Sequence, residues 1–165
     1  MRAPKNMYVI KRKSPIHGWG IFAKVDIPKG VRIIEYVGEK ITKAESDRRG
    51  PMHMKYAARN KEKGAVYLFE LNKHYDIDGH VAYNTAKYIN HSCTPNCEVD
   101  IIRGRIWVSS VKAIKKGQEL FYNYGYDVEE YEDHLCCCGT ARCVGHITAE
   151  EHWPKLKRLK AKKNA

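Results

Sequence analysis

The chain has 165 residues, 43% of them hydrophobic and 30% charged, which fits one ordinary domain with a real core and excludes an intrinsically disordered protein. Its formal net charge of +11 suits an acidic partner such as nucleic acid, an anionic membrane or an acidic protein, without choosing among them. No apolar run is long enough to cross a membrane and Met1-Arg2-Ala3-Pro4-Lys5 opens no signal-peptide core, so an intracellular setting is expected, where clustered cysteines bind metal or catalyse more often than they form disulfides.

Tyr8-Val9-Ile10 and Ile21-Phe22-Ala23 read as strands around a loop that holds Ser14-Pro15 and Gly18-Trp19-Gly20. After the turn Pro28-Lys29-Gly30, residues 31–37 form a β-rich segment. Thr42-Lys43-Ala44-Glu45 has capping-box spacing and opens a short helix, which Gly50-Pro51 is expected to end. Further strands are expected at 66–71, 75–78, 98–102 and 106–109, the last two joined by a hairpin turn at Arg103-Gly104. Lys115-Lys116-Gly117 turns the chain into Glu119-Leu120-Phe121. Beyond it come an acidic run, Glu129, Glu130, Glu132 and Asp133, and then the cysteines. Such a run is either a solvated loop or an acidic edge for a basic peptide. Pro154 suits the start of a final helix with Leu156 and Leu159 on one face. Lys155, Lys157, Arg158, Lys160, Lys162 and Lys163 crowd the last eleven residues. The whole reads as mostly β with a few short helices: a catalytic-type domain over 8–127, a cysteine-rich appendix over 128–147 and a basic tail over 148–165.

Cys136, Cys138 and Cys143 have the spacing C-x-C-x4-C, with Gly139 and Gly145 to bend the loop. A structural zinc ion takes four ligands in a tetrahedron. The fourth is open among Cys93, Cys97, His134 and His146, and Cys137 is a bystander, since adjacent residues of extended chain point apart. A Cys93 or Cys97 ligand would staple the appendix to the earlier fold. Free thiols are the bland alternative.

Three further segments stand in order: His17-Gly18-Trp19-Gly20-Ile21-Phe22-Ala23, then Lys87-Tyr88-Ile89-Asn90-His91-Ser92-Cys93-Thr94-Pro95-Asn96-Cys97, then Glu119-Leu120-Phe121-Tyr122-Asn123-Tyr124. With the cysteine appendix behind them, they resemble the SET-domain protein lysine methyltransferases over residues 8–147. No cysteine-rich segment of the pre-SET kind precedes the domain in this sequence. The resemblance implies small curved sheets, a C-terminal pseudoknot that threads residues 121–126, and a zinc-bound post-SET appendix. It implies S-adenosylmethionine as methyl donor, held by Gly18, Trp19, Gly20, Lys87, Tyr88, Asn90 and His91. It makes Tyr124 the catalytic tyrosine, Tyr67 a second channel tyrosine and Tyr122 the residue that limits product to mono- or dimethyl-lysine. It makes Cys93 the fourth zinc ligand beside Cys136, Cys138 and Cys143, and leaves Cys97 a buried small residue. Tyr83-Asn84 stands where the family often has Gly-Asn, and Asn123 where it often has Asp.

The implied reaction is an in-line displacement by a neutral lysine amine. An amine with an ordinary pKa of about 10.4 must lose its proton first, which desolvation and a nearby sulfonium favour. Aromatic walls suit such a channel because they pack on the lysine stem and attract a cationic head. The expected substrate is a lysine of a histone or another basic DNA-associated protein, with a DNA contact through the basic tail. The expected location is the nucleus and chromosome in a eukaryote, the cytoplasm in a bacterium, or a host cell for a form exported without a readable signal. The alternatives are a zinc-stapled nucleic-acid-binding module without catalysis and a family member that binds cofactor without turnover. The first does not require Asn90-His91-Ser92 together with Tyr124, and the intact Tyr124 speaks against the second.

Overall fold

In chain order the elements are β1 (Val9–Lys13), β2 (Trp19–Ala23), β3 (Arg32–Tyr36), β4 (Glu39–Thr42), α1 (Lys43–Arg59), β5 (Leu68–Glu70), β6 (Tyr75–Asp78), β7 (Asn90–His91), β8 (Cys97–Ile102), β9 (Arg105–Ser110), β10 (Phe121–Tyr122) and α2 (Trp153–Lys163). They come from a computed structural model that describes residues 6–59, 66–129 and 131–163. The strands form small separate sheets: β1 with β2, β3-β9-β8, β4-β6-β5, and a parallel pair of β7 with β10. The mostly-β expectation therefore holds. The turn between β8 and β9 has positive φ at both Arg103 and Gly104, 51° and 72°, the geometry that matches strand twist in a two-residue hairpin.

The main core lies where these sheets converge. Ile21, Ile27, Ile89, Ile106, Val108, Ile114 and Leu120 are all buried there. Each contributes on the order of 1.5–3 kcal/mol by leaving water. Residues 118–122 run between two neighbours. On one side Ala23 N–H donates to Gln118 O and Leu120 N–H to Ile21 O; on the other Ser92 N–H donates to Tyr122 O and Asn96 N–H to Phe121 O. This central position brings 90–96 and 121–126, far apart in sequence, into one site.

The helix α1 corrects one expectation. Gly50-Pro51 does not end it: the helix runs on to Arg59 with Pro51 inside. Proline removes one helical hydrogen bond and crowds the preceding turn, but contacts on either side outweigh that local cost. Thr42 Oγ1 accepts from Glu45 N–H at 3.3 Å, half of the expected capping box. The Glu45 carboxylate does not complete the box and instead takes Arg48 and Arg49. Arg49 also donates to Glu39 and Asp78 of the sheet. Past the proline, His53 is buried against Asp78 and His80. The helix thus docks through Ser46, Arg49 and His53 at i, i+3 and i+7, a polar inner face with no apolar stripe to read.

A second small core joins Val128 and Tyr131 to Leu156 of α2, with Val144 and Leu159 at its edge. Lys155 and Lys163 of α2 pair with Glu129 and Glu132, and Lys160 donates to Val144 O at 3.3 Å. Two members of the acidic run are therefore neutralised by the chain's own helix instead of forming a free edge; Glu130 lies outside the described residues. Among the described residues no helix is long and apolar enough to cross a membrane.

Candidate active site and metal centre

β10 and the chain after it place Tyr122, Tyr124 and Tyr126 in a row, with ring centroids 5.0 Å and then 5.6 Å apart. Phe69 lies 6.3 Å from Tyr122, and Tyr36 lies 5.2 Å from Phe69. The Tyr124 hydroxyl donates to Ile89 O at 2.8 Å, and its N–H donates to His91 Nδ1 at 3.1 Å. Burial raises the phenols of Tyr36, Tyr122 and Tyr124 well above their ordinary value, and the proximity of the rings adds to it. Tyr124 is thus a neutral hydroxyl near pH 7, a group that orients and polarises and carries no phenolate base. Tyr67 stands just before β5. Its carbonyl accepts from the Tyr36 hydroxyl and from Gly79 N–H, each at 2.8 Å.

The other half of the site is built on Asn90. Its Nδ2 donates to Trp19 O at 3.0 Å and to Glu119 Oε1 at 2.8 Å, and Ser14 Oγ donates to Glu119 Oε2 at 2.9 Å. Glu119 is buried. It ties the loop before β2 to the strand β7, and sequence reading missed it although it opens the E-L-x-Y segment. A Cβ on Gly20 would overlap Glu119 Oε1. The glycine is thus required by this carboxylate, where the sequence had linked it to ligand approach. Gly18, with φ 45°, has open space around it. Trp19 is exposed beneath two ammonium groups, Lys11 at 4.4 Å and Lys13 at 4.1 Å from the ring. Lys11 also lies 3.5 Å over Tyr88, and Lys87 lies 5.2 Å from Tyr88 while donating to Val81 O. Lys11, Lys13, Lys87, Trp19 and Tyr88 make a cationic aromatic mouth beside Asn90. Lys11 and Lys13 went unread because basic residues on a hairpin are ordinarily solvated. Asn84, whose role the Tyr83-Asn84 departure had put in question, is fully buried and donates to Gly79 O at 3.2 Å.

His91 links this site to the cysteines. Burial pushes its imidazole down to about 4, so it is neutral. Its Nδ1 accepts from Tyr124 N–H, which leaves the proton on Nε2, 3.7 Å from Cys93 Sγ. The sulfur atoms of Cys93, Cys136, Cys138 and Cys143 all lie within 4.8 Å of one another. The Cys93 to Cys136 separation is 3.8 Å, the edge of a tetrahedron with metal–sulfur bonds of about 2.3 Å. Positive φ at Gly139 and Gly145 bends the loop around this point, and Gly145 N–H donates to Cys143 Sγ at 3.4 Å. Burial pushes the Cys93 thiol up to about 11 and Cys136 higher still, so four thiolates here require a cation. The donor set fits a structural zinc ion. Cys97 is buried in the main core and Cys137 is exposed. His134 packs its ring on Tyr126, and His146 Nδ1 lies 2.9 Å from Tyr131 O. The four candidates for the fourth position therefore reduce to Cys93.

A family model described as the SET domain matches residues 18–125. The chain is 37% identical over 141 residues to a "Histone-lysine N-methyltransferase, H3 lysine-4 specific" of Emericella nidulans, 82% of this chain and 11% of that protein. It is 35% identical over 140 residues to "Histone-lysine N-methyltransferase set-2" of Caenorhabditis elegans, 82% of this chain and 9% of that one. With "Histone-lysine N-methyltransferase 2D" of Homo sapiens it shares 34% identity over 143 residues, 84% of this chain and 2% of that one. The chain spans about a tenth or less of the length of these relatives. With the paired Asn90 and His91, the tyrosine row and the four gathered sulfurs, the match over most of the chain shows that it belongs to the SET-domain family.

Proposed function

We propose that the chain transfers a methyl group from S-adenosylmethionine to the side-chain amine of a protein lysine. The observation that carries this reading is the Tyr124 hydroxyl, fixed by Ile89 O inside a wall of Tyr36, Phe69, Tyr122 and Tyr126, directly beside Asn90 and His91. When bound, the sulfonium supplies an activated methyl carbon and leaves as a neutral thioether. The aromatic wall desolvates the incoming amine and disfavours its protonated form. The Tyr124 hydroxyl, its own proton given to Ile89 O, turns its lone pairs toward the wall and orients the attacking nitrogen. The cationic aromatic mouth of Lys11, Lys13, Lys87, Trp19 and Tyr88 suits the donor's carboxylate and adenine. Tyr67 lines the channel, and Tyr122 leaves a hydroxyl where further methyl groups would sit, which limits the product to mono- or dimethyl-lysine. Zinc held by Cys93, Cys136, Cys138 and Cys143 fixes the post-SET segment over residues 128–147 to a catalytic domain over 8–127.

The substrate we assign is a lysine of a histone or another basic DNA-associated protein, with action on chromatin. The relatives' names support it, and so does the C-terminal segment over 148–165. Lys157, Arg158 and Lys162 of α2 are exposed or half-exposed and form no ion pair among the described residues, which suits a DNA backbone. The test is transfer of radiolabel from S-adenosylmethionine to core histones, ribosomal proteins and other DNA-binding proteins, with Tyr124→Phe in parallel. Label on a lysine that the variant largely loses supports the reading. Salt-sensitive DNA binding by a folded, zinc-loaded protein that binds no S-adenosylmethionine makes it a binding module instead.

A further inference from the structure

The end of β6 carries a cluster that the reaction has not yet used. Asp78 Oδ1 accepts from His80 N–H at 3.0 Å, while Asp78 Oδ2 accepts from Arg49 of α1 at 2.8 Å. Between them stands Gly79, where a Cβ would overlap the Tyr36 hydroxyl and Asn84 Nδ2. The backbone at 78–80 is thus pinned from the helix, from the sheet and from the buried Tyr36 side. Its product is a fixed position for the His80 ring, which touches three others. His53 meets it edge-on at 4.9 Å, Tyr56 lies at 5.4 Å and Tyr67 at 5.2 Å.

Tyr67 has its two ends held in different ways. The backbone end receives the Tyr36 hydroxyl and Gly79 N–H. The ring lies between the His80 imidazole and the Lys87 ammonium, the latter 5.3 Å from its centroid. A tyrosine ring pivots about two torsions, and backbone hydrogen bonds leave both free. Lateral packing is what sets where the hydroxyl points.

We infer that His80 is a positioning residue for Tyr67: its ring transmits the seating of α1, through Arg49, Asp78 and His53, to the direction of the Tyr67 hydroxyl in the lysine channel. This rests on the methyl-transfer reading for its functional meaning, but the positioning itself is a physical property of the folded chain. Neighbouring charges and rings agree with it. Arg49 and Asp78 compensate each other, and burial lowers the pKa of His53, so neutral rings pack at this joint near pH 7. A hydroxyl misplaced by about 1 Å costs a positioned reaction on the order of 100-fold.

The test uses the full chain in three forms, wild type, His80→Ala and His80→Phe, each with and without Tyr67→Phe. Turnover is measured on a lysine peptide, and a 3-fluorotyrosine placed at position 67 reports the ring by fluorine NMR. His80→Ala is expected to lower kcat at least tenfold, with KM for S-adenosylmethionine changed less than about twofold. It is also expected to shift or broaden the fluorine signal. His80→Phe, which keeps the ring and loses the nitrogens, is expected to restore most of both. In the Tyr67→Phe background the His80→Ala loss should largely vanish. A His80→Ala protein with an unchanged fluorine signal, or with a full kcat loss that persists when Tyr67 is Phe, overturns the inference. Absence of turnover in wild type speaks against the methyl-transfer reading alone, and the fluorine signal then decides the positioning by itself.

Discussion

Asn90 and Glu119 meet side chain to side chain, Nδ2 to Oε1 at 2.8 Å, in the buried floor beneath the loop that carries Trp19. This one contact joins β7 to the segment before β10, and Ser14 on the other carboxylate oxygen joins both to the loop after β1. The mouth of the cofactor site is therefore fastened from below.

Glu119→Ala leaves Asn90 and Ser14 each short of a buried partner, a cost of about 1–3 kcal/mol apiece. The expected result is a thermal midpoint lower by several degrees and weaker binding of S-adenosylmethionine by calorimetric titration. Gly20→Ala should be at least as damaging, because its methyl overlaps Glu119 Oε1. Combined with Glu119→Ala it should cost less than the two single losses summed. Strict additivity of the two in thermal unfolding would show that the glycine answers to something else.

Tyr124→Phe removes the hydroxyl that Ile89 O receives. Turnover should fall about 100-fold or more, while stability changes by only about 1 kcal/mol, the worth of one hydrogen bond. Steady-state kinetics beside thermal unfolding separates the two. A variant that keeps full kcat would remove Tyr124 from the chemistry.

The buried phenols make stability depend on alkaline pH. Burial raises Tyr36, Tyr122 and Tyr124 above 10.0, their usual value. In that window the folded chain holds protons that the unfolded chain releases, so stability is fully present below pH 10 and falls above it. The slope approaches about 1.4 kcal/mol per pH unit for each such group. Unfolding midpoints at pH 9, 10 and 11 should drop progressively over the last two. In Tyr122→Phe the drop should be shallower.

The sulfur tetrahedron predicts one zinc ion per chain by elemental analysis of purified protein. Cys93→Ser and Cys143→Ser should lose it, and Cys137→Ser should keep it. Cys97→Ala should retain zinc and lose stability instead, because that thiol fills the main core. Zinc retained in Cys93→Ser would return the fourth position to His134 or His146.

Pro51 interrupts an otherwise continuous helix. Pro51→Ala restores a backbone donor at the cost of a looser unfolded chain. The net expectation is a gain of about 1–2 kcal/mol, read as a higher unfolding midpoint. A lower midpoint would mean that the proline helps to seat His53.

The strands were legible because their β-branched and aromatic runs are local, as was the turn at Arg103-Gly104, where two positive φ angles call for residues that tolerate them. The short strand β4 escaped notice, because Glu39-Lys40-Ile41-Thr42 buries Ile41 alone. The extent of α1 escaped for the same kind of reason: its inner face is Ser46, Arg49 and His53, and a docking surface made of ion pairs leaves no hydrophobic period in the sequence.

By itself the sequence determined the family, the tyrosine row and three of the four sulfur ligands, since these sit in short contiguous segments whose spacing carries their chemistry. Tertiary structure alone singled out Cys93 over Cys97, showed that Gly20 answers to Glu119, and let α2 neutralise Glu129 and Glu132. Each of those depends on which distant segments become neighbours when residues 118–122 pass between β2 and 90–96. Spacing along the chain does not encode that proximity; the burial of the shared core does.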